Sequence, residues 1–282
     1  MAAETEKEER AYVYMVRCAG GQLYTGWTND PASRLHAHKS GKGAKCTRAL
    51  GAQRFAYLER CTDRSAALRR EAALKKLTKA QKEALCAEWA EKNLPRLSLA
   101  TRADAAEILD IYNWYVLHHT ATFQVTPSSL PEYEDWVEST RALIPLLLAR
   151  DGEGKLLGYA CAHRYHPREA YDWAVESTIY CAPDARGFGV GNTLYRALLD
   201  ILDGMGYWNV YALVADPNPA SERIHARLGF TCVGREPHTA YKFGWLGLST
   251  WWLPLRRGNE KPEPTHPLTQ EQVEEILGRY QA

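Results

Sequence analysis

Three glycines alternate with other residues in Arg186-Gly187-Phe188-Gly189-Val190-Gly191-Asn192. This stretch lies between an apolar run ending at Tyr180-Cys181 and an amphipathic run from Leu194 to Leu202. Strand, glycine turn and helix in that order make a phosphate cradle. Backbone without Cβ atoms approaches a pyrophosphate closely, and the NH groups at a helix start hold negative charge with the help of the helix dipole. A dinucleotide turn of the G-x-G-x-x-G kind is disfavoured because Asn192 stands where the third glycine belongs. No phosphate-loop lysine follows either.

The 282 residues suit two domains. Formal charge is +7 through residue 95 and −6 after it, so the near-neutral total conceals two oppositely charged halves. The basic half suits a polyanion, and the acidic half argues against nucleic acid as its main ligand. From Arg10 to Lys82 there are 16 basic and 4 acidic residues, which predicts DNA or RNA backbone contact with little sequence preference, since no base-reading module is visible. The seven cysteines include no C-x-x-C pair, so neither a zinc site nor a disulfide frame is expected. With no leader-like segment and no long apolar run, a cytoplasmic chain without membrane contact is predicted.

The aromatic runs 11–17 and 23–27, joined by Ala19-Gly20-Gly21-Gln22, read as a β-hairpin. Asp30 and Pro31 open a helix on which Arg34 and His38, four apart, share a face. A strand at 53–60 and helices at 64–77 and 79–92 follow, the latter with capping-box spacing at Thr78 and Gln81. The run 39–48 reads as a basic loop. After Asn93-Leu94-Pro95 the pattern restarts: a strand near 97–100, helices to His118 and over 131–141, strands at 145–150, 156–164 and 171–181. Then come a helix at 189–204, a strand at 209–215, a helix at 219–228 and aromatic strands to 255. The predicted organisation is a disordered segment 1–10, a small α+β domain 11–92, a larger α/β domain 96–257, and a linker with a short helix over 258–282.

Arg186 to Gly191 resembles the R/Q-x-x-G-x-G/A coenzyme A loop of the GNAT acetyltransferases. The segments 168–180, Pro217-Asn218, 221–230 and Tyr241-Lys242-x-Gly244 resemble the phosphinothricin acetyltransferase branch, across about 97 to 255. The resemblance implies a mixed, mostly antiparallel sheet flanked by helices and acetyl transfer from acetyl-CoA to the amine of an amino acid or analogue, such as phosphinothricin or methionine sulfone. It also implies a homodimer formed through this domain. An amine attacks a thioester only when neutral, so a base is needed. Glu176, in a strand of mostly apolar neighbours, is the candidate. The resemblance gives coenzyme contact to Ile179, Tyr180, Cys181, Arg186, Gly187, Phe188, Gly189, Val190, Gly191, Asn192 and Asn218. His225 would protonate the leaving thiolate, and Phe123 and Arg168 would face the acceptor. Leu246, Gly247 and Leu248 stand where the branch often has an acidic residue, a departure that bears on the acceptor rather than on acetyl transfer.

In the basic half, Tyr12-Val13-Tyr14, Tyr24-Thr25-Gly26, Arg34, His38, Gly41 to Lys45, Thr47-Arg48 and Arg70-Glu71 together resemble the small stand-alone GIY-YIG nuclease-like domains, over about 11 to 85. The resemblance implies phosphodiester cleavage with Mg²⁺ or Mn²⁺ on Glu71, phosphate stabilised by Arg34, water deprotonated with help from Tyr14 or Tyr24, and His38 beside them. Read without it, Glu71 is a helix residue pairing with Lys75. Two functions are therefore in play: a small-molecule acetyltransferase carrying a nuclease-like domain, or a nucleic-acid protein whose acetyltransferase domain is regulatory or acts on a protein or RNA amine.

Overall fold

The computed structural model describes residues 11–185 and 189–280. The segment 1–10 expected to be disordered, and the loop residues Arg186, Gly187 and Phe188, lie outside the described residues. The chain divides into two compact units between Leu94 and Pro95.

In the first unit, β1 (Ala11–Cys18) is the middle strand of an antiparallel sheet, between β2 (Leu23–Thr28) and β3 (Ala52–Cys61). Its central position explains its near-continuous apolar pattern: Val13, Tyr14, Met15 and Val16 are wholly buried. Helices α1 (Pro31–Lys39), α2 (Lys45–Leu50), α3 (Arg64–Lys76) and α4 (Lys79–Asn93) complete the unit. Asp30 caps α1 by accepting from Ser33 N at 3.0 Å, and Thr78 and Gln81 form the expected reciprocal box at α4. The basic run 39–48 is not all loop. From Lys45 it winds into α2, which carries Thr47 fully buried on its inner side.

The second unit holds a seven-stranded mixed sheet. Its strands are β4 (Arg96–Leu99), β5 (Leu147–Arg150), β6 (Leu156–Arg164), β7 (Ala174–Cys181), β8 (Asn209–Asp216), β9 (Thr231–Tyr241) and β10 (Trp245–Pro254), ordered β4-β5-β6-β7-β8-β10-β9. The helices α5 (Ala105–His118), α6 (Leu130–Arg141), α7 (Val190–Gly204) and α8 (Pro219–Leu228) pack around it. The strand expected from 171 starts at Ala174, because residues 169–171 form a 3-10 turn. Helix α7 turns Leu194, Tyr195, Leu198 and Leu202 inward at three- and four-residue spacing.

Among the described residues only β7 and β8 are parallel neighbours, and only over three pairs: Ala174 with Asn209, Val175 with Val210, and Glu176 with Tyr211. Beyond Glu176 and Tyr211 each strand follows its antiparallel partner, β7 with β6 and β8 with β10, and a slot opens between them. The five steps along β7 from Glu176 to Cys181 give it a length of about 16 Å. Among the described residues no helix is long and apolar enough to cross a membrane.

The C-terminal stretch is built into this unit rather than trailing from it. Trp173 Nε1 donates to Glu263 O at 2.7 Å, His266 N donates to Met205 O at 3.0 Å, and Tyr280 Oη donates to Asp200 at 2.6 Å. Helix α9 (Gln270–Gly278) buries Val273, Ile276 and Leu277 in the same core as α7. Ile276→Ala is therefore expected to lower the stability of the full chain by about 2–4 kcal/mol. Denaturant unfolding followed by tryptophan fluorescence checks this, and an unchanged midpoint would mean that α9 packs without contributing.

Candidate active sites

In the second unit the slot between β7 and β8 opens toward the start of α7. Gly189 caps that helix at φ 84°, a left-handed geometry that a side chain would strain. A Cβ on Gly191 would lie 3.3 Å from both Cys181 Sγ and Ile224 Cδ1. Gly191, Ile179 and Cys181 thus converge at the slot's mouth. The other expected coenzyme residues are placed differently. Val190 is buried in the core, and Asn192 Oδ1 faces Arg196 Nε at 3.4 Å. Asn218 caps α8, accepting from Ser221 N at 3.2 Å. Tyr180 points its ring to the opposite face, against Tyr112, Tyr115 and Tyr159, so only its backbone lines the slot.

At the closed end of the slot Glu176 is about four-fifths buried, with its carboxylate 3.6 Å from His163 Nε2. Its neighbour Ser177 points to the other face of the sheet and begins a buried chain of contacts. Ser177 Oγ lies 3.0 Å from Tyr211 O and 2.6 Å from Tyr195 Oη, and Tyr195 Oη lies 2.9 Å from His225 Nε2. His225 Nδ1 lies 2.8 Å from Ser221 O. A carbonyl only accepts, so Nδ1 carries a proton. With neutral imidazole the chain then has three protons for four contacts, and only the imidazolium fills the fourth. Burial lowers the pKa of His225 against the raising effect of Ser221 O, and burial raises that of Tyr195. His225 is enclosed among Tyr195, Phe230 and Trp251, so it communicates with the slot through Tyr195 and Ser177.

Neither Ser177 nor Tyr195 was expected at the site. The adjacency of Ser177 to Glu176 was the available signal, whereas Tyr195 reads in sequence as one more apolar position of α7. Phe123 is half-buried on a loop fastened by Lys242, whose buried ammonium donates to Tyr115 O at 3.2 Å and Thr122 O at 2.9 Å. Burial lowers the pKa of this lysine. Arg168 lies exposed between β6 and β7, with no ion pair among the described residues.

In the first unit Tyr14, Arg34 and His38 meet as their spacing suggests. Arg34 Nε donates to Tyr14 Oη at 2.9 Å, Tyr14 Oη lies 2.8 Å from His38 Nε2, and His38 Nδ1 lies 2.6 Å from Thr47 Oγ1. Thr47 donates to Ala44 O at 2.9 Å. Thr47 must then accept from Nδ1–H, which leaves Nε2 to accept the Tyr14 proton. Burial, then the Arg34 charge, lowers the pKa of His38 and favours this neutral form. Burial raises that of Tyr14, against the hydrogen bond and charge of Arg34. The Tyr24 ring stands 5.2 Å from that of His38. A Cβ on Gly26 would fall 2.5 Å from Tyr14 Oη, so the chain of contacts needs glycine there. Glu71, mostly buried, pairs with Lys75 at 2.6 Å. Among the described residues no three His, Cys, Asp or Glu side chains gather as a metal site.

Residues 10–84 match the GIY-YIG catalytic domain, and residues 108–230 match the acetyltransferase (GNAT) family. A phosphinothricin N-acetyltransferase of Streptomyces viridochromogenes is 36% identical over 170 residues, 60% of this chain and 90% of that protein. An L-methionine sulfoximine/L-methionine sulfone acetyltransferase of Pseudomonas aeruginosa is 37% identical over 155 residues, 54% of this chain and 90% of its own. Among solved structures, a GNAT superfamily phosphinothricin acetyltransferase from Sinorhizobium meliloti in complex with AcCoA superposes with TM-score 0.58 at 33% identity, covering 60% of this chain and 93% of that one. The chain is an N-acetyltransferase of the GNAT family, its second unit close to the phosphinothricin N-acetyltransferases and its first a GIY-YIG domain.

Proposed function

We propose that the second unit acetylates the amine of a free amino acid or amino-acid analogue, with Glu176 as base. The observation that carries this reading is the parting of β7 from β8 directly after Glu176, which puts a carboxylate at one end of a slot whose other end is the glycine-capped start of α7. Acetyl-CoA supplies the thioester. Its pyrophosphate suits the NH groups near Gly189 and Gly191, and outward-facing amides of β7 suit the oxygen on which charge develops.

Transfer to a neutral amine removes one proton from nitrogen and places one on sulfur. Glu176 takes the first. The second comes from the fraction of molecules in which His225 is an imidazolium, the form that burial disfavours: Ser177 Hγ passes to sulfur, Tyr195 Hη to Ser177 Oγ, and His225 Hε2 to Tyr195 Oη. Neutral imidazole remains. Burial makes that imidazolium a stronger acid than a free one. The exposed rings of Tyr241, Phe243 and Trp245 around the β9–β10 turn offer a face through which two copies would pair.

For the first unit we propose nucleic-acid backbone binding and phosphodiester cleavage, a second reading favoured by the directional chain from Arg34 through Tyr14 and His38 to Thr47. In it Tyr14 takes a proton from water as it passes its own to His38 Nε2, and the remaining Arg34 donors hold phosphate. One carboxylate, Glu71, suits a magnesium or manganese ion that keeps most of its waters and leans on phosphate, provided Lys75 yields it. Such an ion would neutralise charge on the phosphate.

Glu176→Gln is expected to lower kcat on the order of 10²-fold at neutral pH while acetyl-CoA binding, read by calorimetry, holds. Tyr195→Phe should also lower kcat with coenzyme affinity intact, and an unchanged rate would remove the proton path. Isolated coenzyme binding is tested by thermal shift, where Gly191→Val should abolish the stabilisation by acetyl-CoA. For the first unit, nucleic-acid binding should fall steeply with salt, and Mg²⁺-dependent cleavage should disappear in Glu71→Ala. Binding that survives high salt unchanged would refute backbone contact.

Stability should also depend on pH. His38 and His225 have lowered folded pKa values, so above the unfolded value of about 6.5 neither contributes a pH dependence. As pH falls below that value the unfolded chain binds protons the folded chain refuses, and stability is lost until the folded pKa is reached. Melting temperatures from pH 8 to 5 should decline from about 6.5 downward, and less steeply in His225→Gln.

A further inference from the structure

Between α5, α6 and strands β6 and β7 lies a cavity of about 300 Å³, on the same face of the sheet as Glu176. His163 joins the two: it lines the cavity and stands 3.6 Å from the Glu176 carboxylate. Thr178 and Tyr180, the next residues of β7 on that face, line it as well. Five rings form its walls, those of Tyr112, Tyr133, Trp136, Tyr159 and Tyr180. Tilted contacts join Tyr112 to Tyr133 at 5.5 Å, Tyr133 to Trp136 at 4.7 Å and Tyr159 to Tyr180 at 5.6 Å, and edge-on contacts of Trp136 with Tyr159 at 6.2 Å and of Tyr112 with Tyr180 at 5.5 Å link the two groups.

Their hydroxyls are largely spoken for. Tyr133 and Tyr159 bond to each other at 3.1 Å, and Tyr112 bonds Thr122 and Gln124 at 3.0 and 2.9 Å. What remains for a ligand is chiefly ring surface, which favours another ring in offset or edge contact. Burial keeps the phenols of Tyr133, Tyr159 and Tyr180 protonated and pushes the Cys161 thiol at the floor up to about 12. The one carboxylate at the rim, Glu132, is held ionised by Ser129 N and Oγ. Among the described residues that line the space the one basic side chain is His163, already beside Glu176, and there is no lysine or arginine. A phosphinate would therefore meet the Glu132 carboxylate with no guanidinium or ammonium to hold it, at the cost of its hydration. The volume lies at the low end for small-molecule sites, which run from about 300 to 1,000 Å³. It suits one ring system and is too small for a folded or polymeric acceptor.

We propose that this cavity receives the side chain of the acceptor and selects amino acids with an uncharged aromatic side chain over those with an anionic one. The proposal rests on the reading of Glu176 as the base, since the cavity matters only if the amine is deprotonated beside it.

The test is thiol release from acetyl-CoA by the full chain, with L-phenylalanine, L-tryptophan, L-methionine sulfone and phosphinothricin as acceptors. The expected result is a kcat/KM for the aromatic acceptors at least about 10-fold above that for phosphinothricin. Thr140→Trp, which fills the cavity from half-buried α6, should lower the aromatic values by a similar factor while calorimetric acetyl-CoA binding persists. Tyr112→Ala should do the same by removing a wall. A preference for phosphinothricin, or aromatic rates indifferent to both substitutions, would overturn the proposal, as would a failure of every acceptor with acetyl-CoA bound. If Glu176→Gln leaves rates intact while the aromatic preference and its loss in Thr140→Trp remain, the base assignment falls and the cavity assignment stands.

Discussion

The geometry of the second unit depends on one short parallel contact. Strands β7 and β8 hold each other for three residue pairs and then separate, while β7 pairs with β6 over seven pairs and β8 with β10 over eight. Beyond Glu176 and Tyr211 the facing edges of β7 and β8 are paired with no strand. That makes the slot receptive to a ligand carrying amides of its own. The closed end fixes Glu176 and Ser177, on opposite faces of the sheet, and the open end is set by the start of α7.

The two units use the same device to hold a proton. In each, a buried histidine has Nδ1–H committed to a fixed oxygen, Thr47 Oγ1 or Ser221 O, which turns Nε2 toward a tyrosine hydroxyl. The difference lies beyond the tyrosine. Tyr14 meets the Arg34 cation, which favours loss of its proton, whereas Tyr195 meets Ser177 and through it a carbonyl, which favours passing a proton along. In the proposed reactions one chain takes a proton beside the Arg34 cation, and the other returns one to the slot.

Buried charge plays a different part. Lys242 is enclosed with two backbone carbonyls and no carboxylate partner among its hydrogen bonds, which fixes the loop carrying Phe123 to the hairpin of β9 and β10. Such an ammonium is costly to bury, and the cost is offset only while that loop keeps its carbonyls in place. The rim of the aromatic cavity, through Gln124 and Ser128, depends on the same loop. The charge segregation of the chain reaches the sites as well: the first unit presents Arg34 among basic residues, and no lysine or arginine is among the described residues lining the cavity of the second.

Much of the architecture was legible in the chain itself. Alternation and caps place the hairpin at 11–28, α1 behind Asp30 and Pro31, and α4 behind Thr78, because these signals act over three or four residues. The same range made Arg34 and His38 neighbours. Glycine at 189 marked the turn at the start of α7 for the same local reason. What the sequence could not supply were relations across the sheet: Ser177 with Tyr195 and His225, the inward turn of Thr47, the packing of α9 on α7, and the five rings gathered from α5, α6, β6 and β7. Each joins residues that are unremarkable in their own windows. The sequence determined which groups were present and which local elements would carry them; tertiary structure decided which of them touch, because register and packing between distant segments are set by the shared core and not by any one stretch of chain.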